Sequence, residues 1–258
     1  MGRAAPVLAV VVGLALYYGF SDSLRNLSTW GDVAFLAVVL IPGTFLLTWL
    51  ALPVCRNAGP RALGAAVLGF GALAAVLELL GLDVAANFAK FAAVTAAGWW
   101  FLTFFEAVSW VLLVALLIVP VDTYSVFQGP TKVIVEEQPE VFDALSIAFP
   151  LPGEHNSAQL GLPDVLFFAL FLAAAVRFGL RPGLTWLAMA LSFGATLAIA
   201  VGAEVAGLPA LPLLSAAFVL VNGDLIWRQT RRRRADEAAD LPQEGNSERE
   251  RGSSSPPA

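Results

Sequence analysis

The sequence has little of what soluble hydrolases use for catalysis and metal binding. It contains one cysteine, Cys55, and one histidine, His155, so an internal disulfide and a Cys/His zinc cluster are both excluded. A His-Glu-x-x-His zinc protease is excluded for the same reason, and a histidine-dependent triad would need His155. His155 lies in a loop flanked by glycine and proline, and we interpret it as a solvated loop residue. Carboxylates therefore remain as the candidate catalysts.

Charged residues are also scarce. They make up 14% of the chain against 58% hydrophobic residues, and the mean hydropathy is +0.76. A soluble domain has roughly a quarter charged residues, so the composition indicates a polytopic membrane protein. The net charge of −5 arises largely in the loop 128–160 and in the part of the tail that follows the arginine cluster, and it gives no indication of nucleic-acid binding.

Apolar runs predict an all-α fold with about eight transmembrane helices. Trp99 to Glu106 divides the fourth span from the fifth, and Pro42-Gly43 predicts a kink in the second. The predicted spans are 4–20, 33–54, 62–82, 83 to the Trp99-Trp100 pair, 102–122, 162–180, 184–203 and 209–227. We expect N-terminal helices in 1–104, a core in 105–227 that includes the loop 128–160, and a basic, then disordered tail in 228–258.

Two aspartates lie at the predicted membrane boundary, on either side of this loop. Asp122 closes the fifth span and Asp164 opens the sixth. Because one loop joins the two spans, both acids lie on the same side of the membrane and at similar depth. Ionisable groups at membrane depth are costly and usually functional. Two carboxylates in contact share one proton, which is the arrangement by which aspartic proteases activate water.

Each aspartate also has a purely structural interpretation. Asp122 follows Pro120 and can be a helix-end acid. Pro163-Asp164 can be an ordinary helix start, with proline in the first turn and an acid at the positive end of the helix dipole. Taken singly, the aspartates leave both interpretations open.

Three short motifs around these acids resemble those of the presenilins and signal peptide peptidases, a family of intramembrane aspartic proteases. Val121-Asp122, followed by Gly129-Pro130-Thr131-Lys132-Val133-Ile134-Val135-Glu136, is similar to the Tyr-Asp segment of presenilins. Gly161-Leu162-Pro163-Asp164 is similar to the family's GxGD motif, and Leu208-Pro209-Ala210-Leu211-Pro212 contains its PALP motif. The three motifs occur in the family's order, each at the expected end of a hydrophobic span.

The resemblance implies a presenilin-like bundle with Asp122 and Asp164 as the catalytic pair. It implies no metal, no organic cofactor, and transmembrane helical proteins in the lipid bilayer as substrates. An exposed edge in the loop, where 133–135 and 141–149 can form short strands or an amphipathic helix, is expected to pair with the unwound substrate. The residues expected to contact substrate are Tyr124, Gly161, Leu162, Pro163, Pro209, Ala210, Leu211 and Pro212.

Pro163 keeps a second function open. It stands where the family's motif has its second glycine, and proline fixes φ near −65° and lacks an N–H. The alternative is a non-catalytic membrane protein on the same scaffold. It would be either a pseudoprotease that binds membrane helices or a transporter that couples protons through the two aspartates.

Arginines predict the orientation of the chain. The opposite loops hold only Arg25 and Lys132, whereas one side of an eight-helix arrangement holds Arg3, Arg56, Arg61, Arg177, Arg181 and the cluster at 228–234. The positive-inside rule assigns that side to the cytoplasm. We therefore expect a cytoplasmic C-terminus, and the excess of arginine over lysine favours a prokaryotic plasma membrane.

Overall fold

The computed structural model describes residues 4–129, 138–205 and 207–239, which form a helical bundle with one small β-hairpin. The helices are α1 (Ala4–Phe20), α2 (Thr29–Phe35), α3 (Ile41–Asn57), α4 (Pro60–Leu79), α5 (Asp83–Leu102), α6 (Val108–Phe127), α7 (Pro139–Ala144), α8 (Leu162–Arg177), α9 (Pro182–Gly202) and α10 (Leu211–Ala239). The strands are β1 (Ser146–Pro150) and β2 (Ser157–Gly161), which pair antiparallel.

Within the described residues, six helical segments are long and apolar enough to cross a membrane. They are Ala5–Ser23, Thr29–Asn57, Pro60–Leu79, Val108–Phe127, Pro182–Gly202 and Leu211–Arg233. A helix rises about 1.5 Å per residue, so about 20 residues cover a hydrocarbon core about 30 Å thick. Leu68, Leu79 and Leu220 are highly exposed on the outside of the bundle, as expected for side chains that meet lipid. The chain is an all-α integral membrane protein.

Helix α8 lies at the centre of the bundle. It is 16 residues long, and its residues 168–175 are all apolar and expose no more than 2% of their surface. A helix that is apolar on all sides is buried on all sides, and α3, α5, α6, α9 and α10 contact it. The ring of Phe45 lies 4.0 Å from that of Phe168 and 5.1 Å from that of Phe193. This packing fixes the position of α8, which carries Asp164 in its first turn.

Two glycines allow the close helix contacts of this core. At Gly98 in α5, an added Cβ would stand 3.0 Å from the Ala169 Cβ of α8 and would also strike the Leu166 carbonyl oxygen. At Gly194 in α9, an added Cβ would stand 2.7 Å from the Ala37 Cβ. Small residues permit such contacts in membrane bundles, where lipid provides no hydrophobic drive for helices to associate. A larger side chain at Gly98 would push α5 away from the central helix.

The second predicted span is one continuous helical segment with an irregular middle. A π-helical turn, Leu36–Leu40, links α2 to α3 immediately before Pro42, where the sequence predicts a kink. Pro42 has no N–H to donate to the preceding turn, and a widened turn accommodates that loss. Thr44 Oγ1 donates to the Leu40 carbonyl at 2.9 Å. The irregularity therefore lies one turn before the proline.

Two helices continue beyond their predicted ends. Helix α6 passes Asp122 and ends at Phe127, so this acid lies inside the helix instead of closing it. Helix α10 passes Trp227 and the arginine cluster and ends at Ala239. Arginine, alanine and glutamate favour helix, and neither glycine nor proline interrupts this stretch. The rest of the tail, predicted to be disordered, and the predicted strand or helix at 133–135 lie outside the described residues, whereas 141–149 divides between α7 and β1.

Candidate functional site

Asp122 lies in α6 and its carboxylate reaches a second helix. Asp122 Oδ2 accepts a hydrogen bond from the Leu211 N–H at 3.2 Å. Leu211 is the first residue of α10, where N–H groups have no partner within their own helix. A carboxylate at this position also faces the positive end of the helix dipole. The partly buried Asp122 therefore joins α6 to the start of α10.

The Pro-rich turn at 208–212 forms the entry into α10. Residues 207–210 are not helical, and Ala210 and Leu211 expose only 7% and 1% of their surface. Pro209 and Pro212 have no N–H groups, so Ala210 and Leu211 hold the backbone donors between them. Lipid offers no partner for a free N–H, and the carboxylate of Asp122 satisfies that of Leu211.

Asp164 is the third residue of α8 and follows directly after the hairpin. It is partly buried, and its neighbour Val165 is fully buried. Gly161 leaves room for the carboxylate, because a Cβ added there would stand 3.3 Å from Asp164 Oδ2. Pro163 is exposed in the first turn of the helix, a position that proline occupies without loss of a hydrogen bond.

The structure brings the two predicted acids to the same end of the bundle, which we call the acid end. Helices α6 and α8 are in contact, and the carboxylates of Asp122 and Asp164 are close enough to interact electrostatically. In the part of the chain that the structure describes, neither forms an ion pair with a lysine, arginine or histidine. Each carboxylate therefore experiences the charge of the other without a described cation to offset it.

Side chains of α1 and α5 fix the hairpin. The Asn87 side-chain amide donates to the Ala148 carbonyl at 2.9 Å and accepts from the Ala148 N–H at 3.0 Å. Tyr18 donates to the same carbonyl at 2.8 Å, and Tyr17 donates to the Pro150 carbonyl at 2.7 Å. These bonds occupy the outer edge of β1. They hold the hairpin, and hence the start of α8, in place.

The outer edge of β2 is free of backbone partners among residues 4–129, 138–205 and 207–239. In an antiparallel pair, successive residues point their backbone groups alternately toward and away from the partner strand. The hydrogen bond from the Leu162 N–H to the Leu145 carbonyl shows that those of Gln159 and Gly161 point away from β1. This open edge ends at Gly161, beside the Asp164 carboxylate.

The other predicted site and motif residues differ in whether they can contact the two acids. The Tyr124 side chain is 62% exposed. Tyr124 follows Asp122 by two positions, which corresponds to about 200° around the helix axis, so its side chain points away from that of Asp122. The Leu162 backbone continues the hairpin pairing. Gly129 is buried, and an added Cβ would stand 2.8 Å from the Ser125 Cα, which explains a glycine there. The motif residues 130–136 lie outside the described residues.

Sequence reasoning missed the side chains that anchor the hairpin, namely Tyr17, Tyr18 and Asn87. The available signal was the amide of Asn87 in an apolar helix, because such a group needs a hydrogen-bond partner at membrane depth. Its partner lies 61 residues away in the chain. Local sequence patterns do not identify contacts of that range.

The fold and the site define an all-α integral membrane protein with two neighbouring carboxylates at one end of its bundle. Comparison with models of known protein families gives no match, and a search of curated proteins gives none either. The resemblance to presenilins therefore rests on the three short motifs.

Proposed function

We propose that this chain is an intramembrane aspartic protease that cuts transmembrane helices with Asp122 and Asp164. In this proposal α5 and α8 also cross the bilayer, which gives eight spans in a presenilin-like arrangement. The arginine-rich end of the bundle, with the C-terminus, faces the cytoplasm of a prokaryotic cell.

The observation that carries the proposal is the hydrogen bond between the Asp122 carboxylate and the Leu211 N–H. This bond joins two of the three motifs, although 89 residues separate them in the chain. The third motif supplies Asp164, the neighbouring acid. A purely helix-capping role for Asp122 accounts for the bond but gives no reason for a second carboxylate beside it.

Two acids that share one proton supply both a base and an acid. The charged carboxylate takes a proton from a water molecule, whose oxygen then attacks the scissile carbonyl carbon. The protonated carboxyl donates its proton to the leaving amine nitrogen. Repulsion between close carboxylates keeps one of them protonated. No metal or organic cofactor takes part in this scheme.

A helical substrate has to unwind before it is cut, because helix hydrogen bonds and side chains shield the scissile carbonyl. The open edge of β2 offers the N–H and carbonyl of Gln159 and the carbonyl of Gly161 to the opened segment, which would pair as an added strand. The Gly161 N–H itself donates to the Asp164 carboxylate. Since this edge ends at Gly161, the pairing delivers a peptide bond to Asp164. The turn at 208–211 lies beside Asp122 and contributes to the same cleft.

The test is cleavage of a single-span reporter protein by purified enzyme in proteoliposomes. We expect Asp122→Ala and Asp164→Ala each to abolish cleavage while membrane abundance stays the same. Asp224→Ala serves as the matched control, because Asp224 is an acid of α10 that pairs with Arg181 away from the site. Undiminished cleavage by either of the first two variants would remove the aspartate pair from the mechanism.

A second candidate function is the non-catalytic one, and the setting of Pro163 favours it. The proline is exposed and begins a regular helix, where the family's motif has a glycine. Pro163→Gly discriminates between the two functions, since an inert wild type that gains cleavage would be a degenerate protease. Proton-dependent solute flux into vesicles, lost in Asp122→Asn and Asp164→Asn, would instead indicate a transporter.

A further inference from the structure

A cavity of about 500 Å³ lies at the opposite end of the bundle from the acids. We call this the arginine end, where α3, α5 and α8 finish and α4 begins. Apolar side chains of Leu52, Leu63, Leu102 and Ala173 line the cavity. Cavities of roughly 300–1,000 Å³ with mostly apolar walls and a few polar groups are typical of small-molecule sites.

Two arginines, Arg56 and Arg177, supply the charge of this cavity, and no acidic residue lines it. Arg177 Nη1 donates to the Leu102 carbonyl at 2.7 Å, which holds its guanidinium at the wall. Over the described ranges of the chain, neither arginine forms an ion pair with a carboxylate. The cavity therefore carries two positive charges and lacks a counter-charge of its own.

The charged and apolar groups are layered along the helix axes. Arg56 lies four residues after Leu52 in α3, and Arg177 lies four residues after Ala173 in α8. Residues four apart share one face of a helix, and at about 1.5 Å per residue the apolar partner lies about 6 Å deeper. Each arginine thus marks the mouth of the cavity, above an apolar wall.

We propose that this cavity binds an anionic phospholipid. The headgroup phosphate lies between Arg56 and Arg177, and the first part of one acyl chain runs along Leu52, Leu63 and Ala173. Guanidinium groups match phosphate oxygens through paired N–H donors. The apolar wall below them fits the acyl chain, which a water-soluble phosphate lacks. This site is separate from the aspartates and does not depend on proteolysis.

The ligand class is tested with full-length protein in neutral detergent micelles, with binding measured by native mass spectrometry. The probes are phosphatidylglycerol, phosphatidylcholine and glycerol phosphate. We expect phosphatidylglycerol to bind about tenfold more tightly than phosphatidylcholine, since the phosphatidylcholine headgroup carries no net charge. Glycerol phosphate should bind more weakly still. Equal binding of the two lipids, or of glycerol phosphate and phosphatidylglycerol, would overturn the proposal.

The location is tested with variants of the same protein. We expect Arg56→Gln and Arg177→Gln each to weaken phosphatidylglycerol binding about tenfold. Arg61→Gln should change phosphatidylglycerol binding by no more than about twofold. Arg61 is an exposed arginine at the same end of the bundle, but it does not line the cavity. Unchanged binding in the first two variants, or an equal loss in Arg61→Gln, would contradict the assignment.

A further variant separates charge from space. Leu63→Trp fills part of the cavity and leaves both guanidinium groups in place, so it should also weaken phosphatidylglycerol binding about tenfold. Thermal melting checks that each variant is folded. If Arg177→Gln is not, because its bond to the Leu102 carbonyl is lost, Arg56→Gln and Leu63→Trp decide the question. Full binding in both would refute the site.

Discussion

The acidic side chains at the two ends of the bundle have different partners. At the arginine end, Arg181 and Asp224 form two parallel hydrogen bonds of 2.7 and 2.8 Å. At the acid end, Asp122 bonds to a backbone N–H and lies near Asp164, and in the described structure no cation pairs with either. A counter-charge holds a carboxylate in one charge state, whereas neighbouring carboxylates without one can exchange protons. Asp224, the acid with a counter-charge, is exposed, whereas the two acids that pair with no described cation are partly buried.

Buried amides sharpen the same contrast. Asn222, fully buried in α10, donates to Thr185 Oγ1 at 2.8 Å and accepts from the Arg181 N–H at 3.0 Å. These bonds lock α9 to α10. Asn87 at the acid end instead holds the Ala148 backbone, and so positions the hairpin beside Asp164. One asparagine fastens helices together, and the other orients a site.

The largest difference between the ends is expected for the same conservative change in each. Asp122→Glu moves the carboxylate by one methylene and breaks its bond with the Leu211 N–H. Cleavage should fall about 100-fold, because a shift of about 1 Å in a catalytic group can cost that much. Asp224→Glu should leave cleavage within about twofold. Rates are measured with the reporter in proteoliposomes, and similar losses in the two variants would erase the distinction.

A smaller effect is expected at the glycine beside Asp164. Gly161→Ala would place a Cβ 3.3 Å from Asp164 Oδ2 and turn the carboxylate from its position. We expect cleavage to fall about tenfold with the fold intact, which corresponds to about 1.4 kcal/mol of transition-state stabilisation. Gly207→Ala is the control, since a Cβ there meets nothing within 4 Å. An unaffected Gly161→Ala enzyme would argue against a tight site at this residue.

Replacement of Asn87 should mainly lower activity, whereas replacement of Asn222 should mainly lower stability. Asn87→Ala removes the partner of the Ala148 N–H and one of the two donors to its carbonyl, and Tyr18 remains as the other donor. The cost is about 1–3 kcal/mol, and this loss is local to the hairpin. Hydrogen exchange in 146–150 should quicken and cleavage should drop. Asn222→Ala should lower the melting temperature and keep the cleavage rate per folded molecule. The reverse pattern would mean that the hairpin does not serve the site.

The smallest effect is expected for the surface ion pair. Asp224 raises the pKa of Arg181 through their hydrogen bonds, but both side chains are more than two-fifths exposed and solvent screens such pairs. Asp224→Asn should change the melting temperature little, with cleavage unaltered. A marked loss of cleavage without unfolding would show that the arginine end is coupled to the acids.

Many of the helices could be predicted from the sequence because the thickness of the bilayer sets the length of an apolar run that crosses it. The runs predicted for α1, α4, α9 and the start of α10 agree with the structure within a few residues, whereas α6 (Val108–Phe127) begins and ends well after the predicted span 102–122. The two aspartates stand out as candidates because an acid at the end of an apolar run is unusual, and their catalytic role stays a prediction. Both signals are local in sequence.

The rest depends on contacts between distant parts of the chain. The central position of α8 follows from packing against several helices, and its apolar sequence is equally compatible with a helix that faces lipid. Local sequence patterns likewise do not predict the hydrogen bond of Asp122 with Leu211 or those of Asn87 with the hairpin. The charged residues after Trp227 predict the end of a membrane span, but helix α10 continues to Ala239 because arginine and glutamate favour helix.

The proposed mechanism requires Asp122 and Asp164 to meet in one site, and crosslinking tests this directly. In a Cys55→Ser background, which removes the one native thiol, Asp122→Cys and Asp164→Cys are combined with a protease site inserted after Gln138. A short bifunctional thiol reagent should keep the two halves joined after proteolysis. The matched pair of Tyr124→Cys and Asp164→Cys should come apart. Separation of the halves in the first pair, in protein that remains folded in the membrane, would contradict the account.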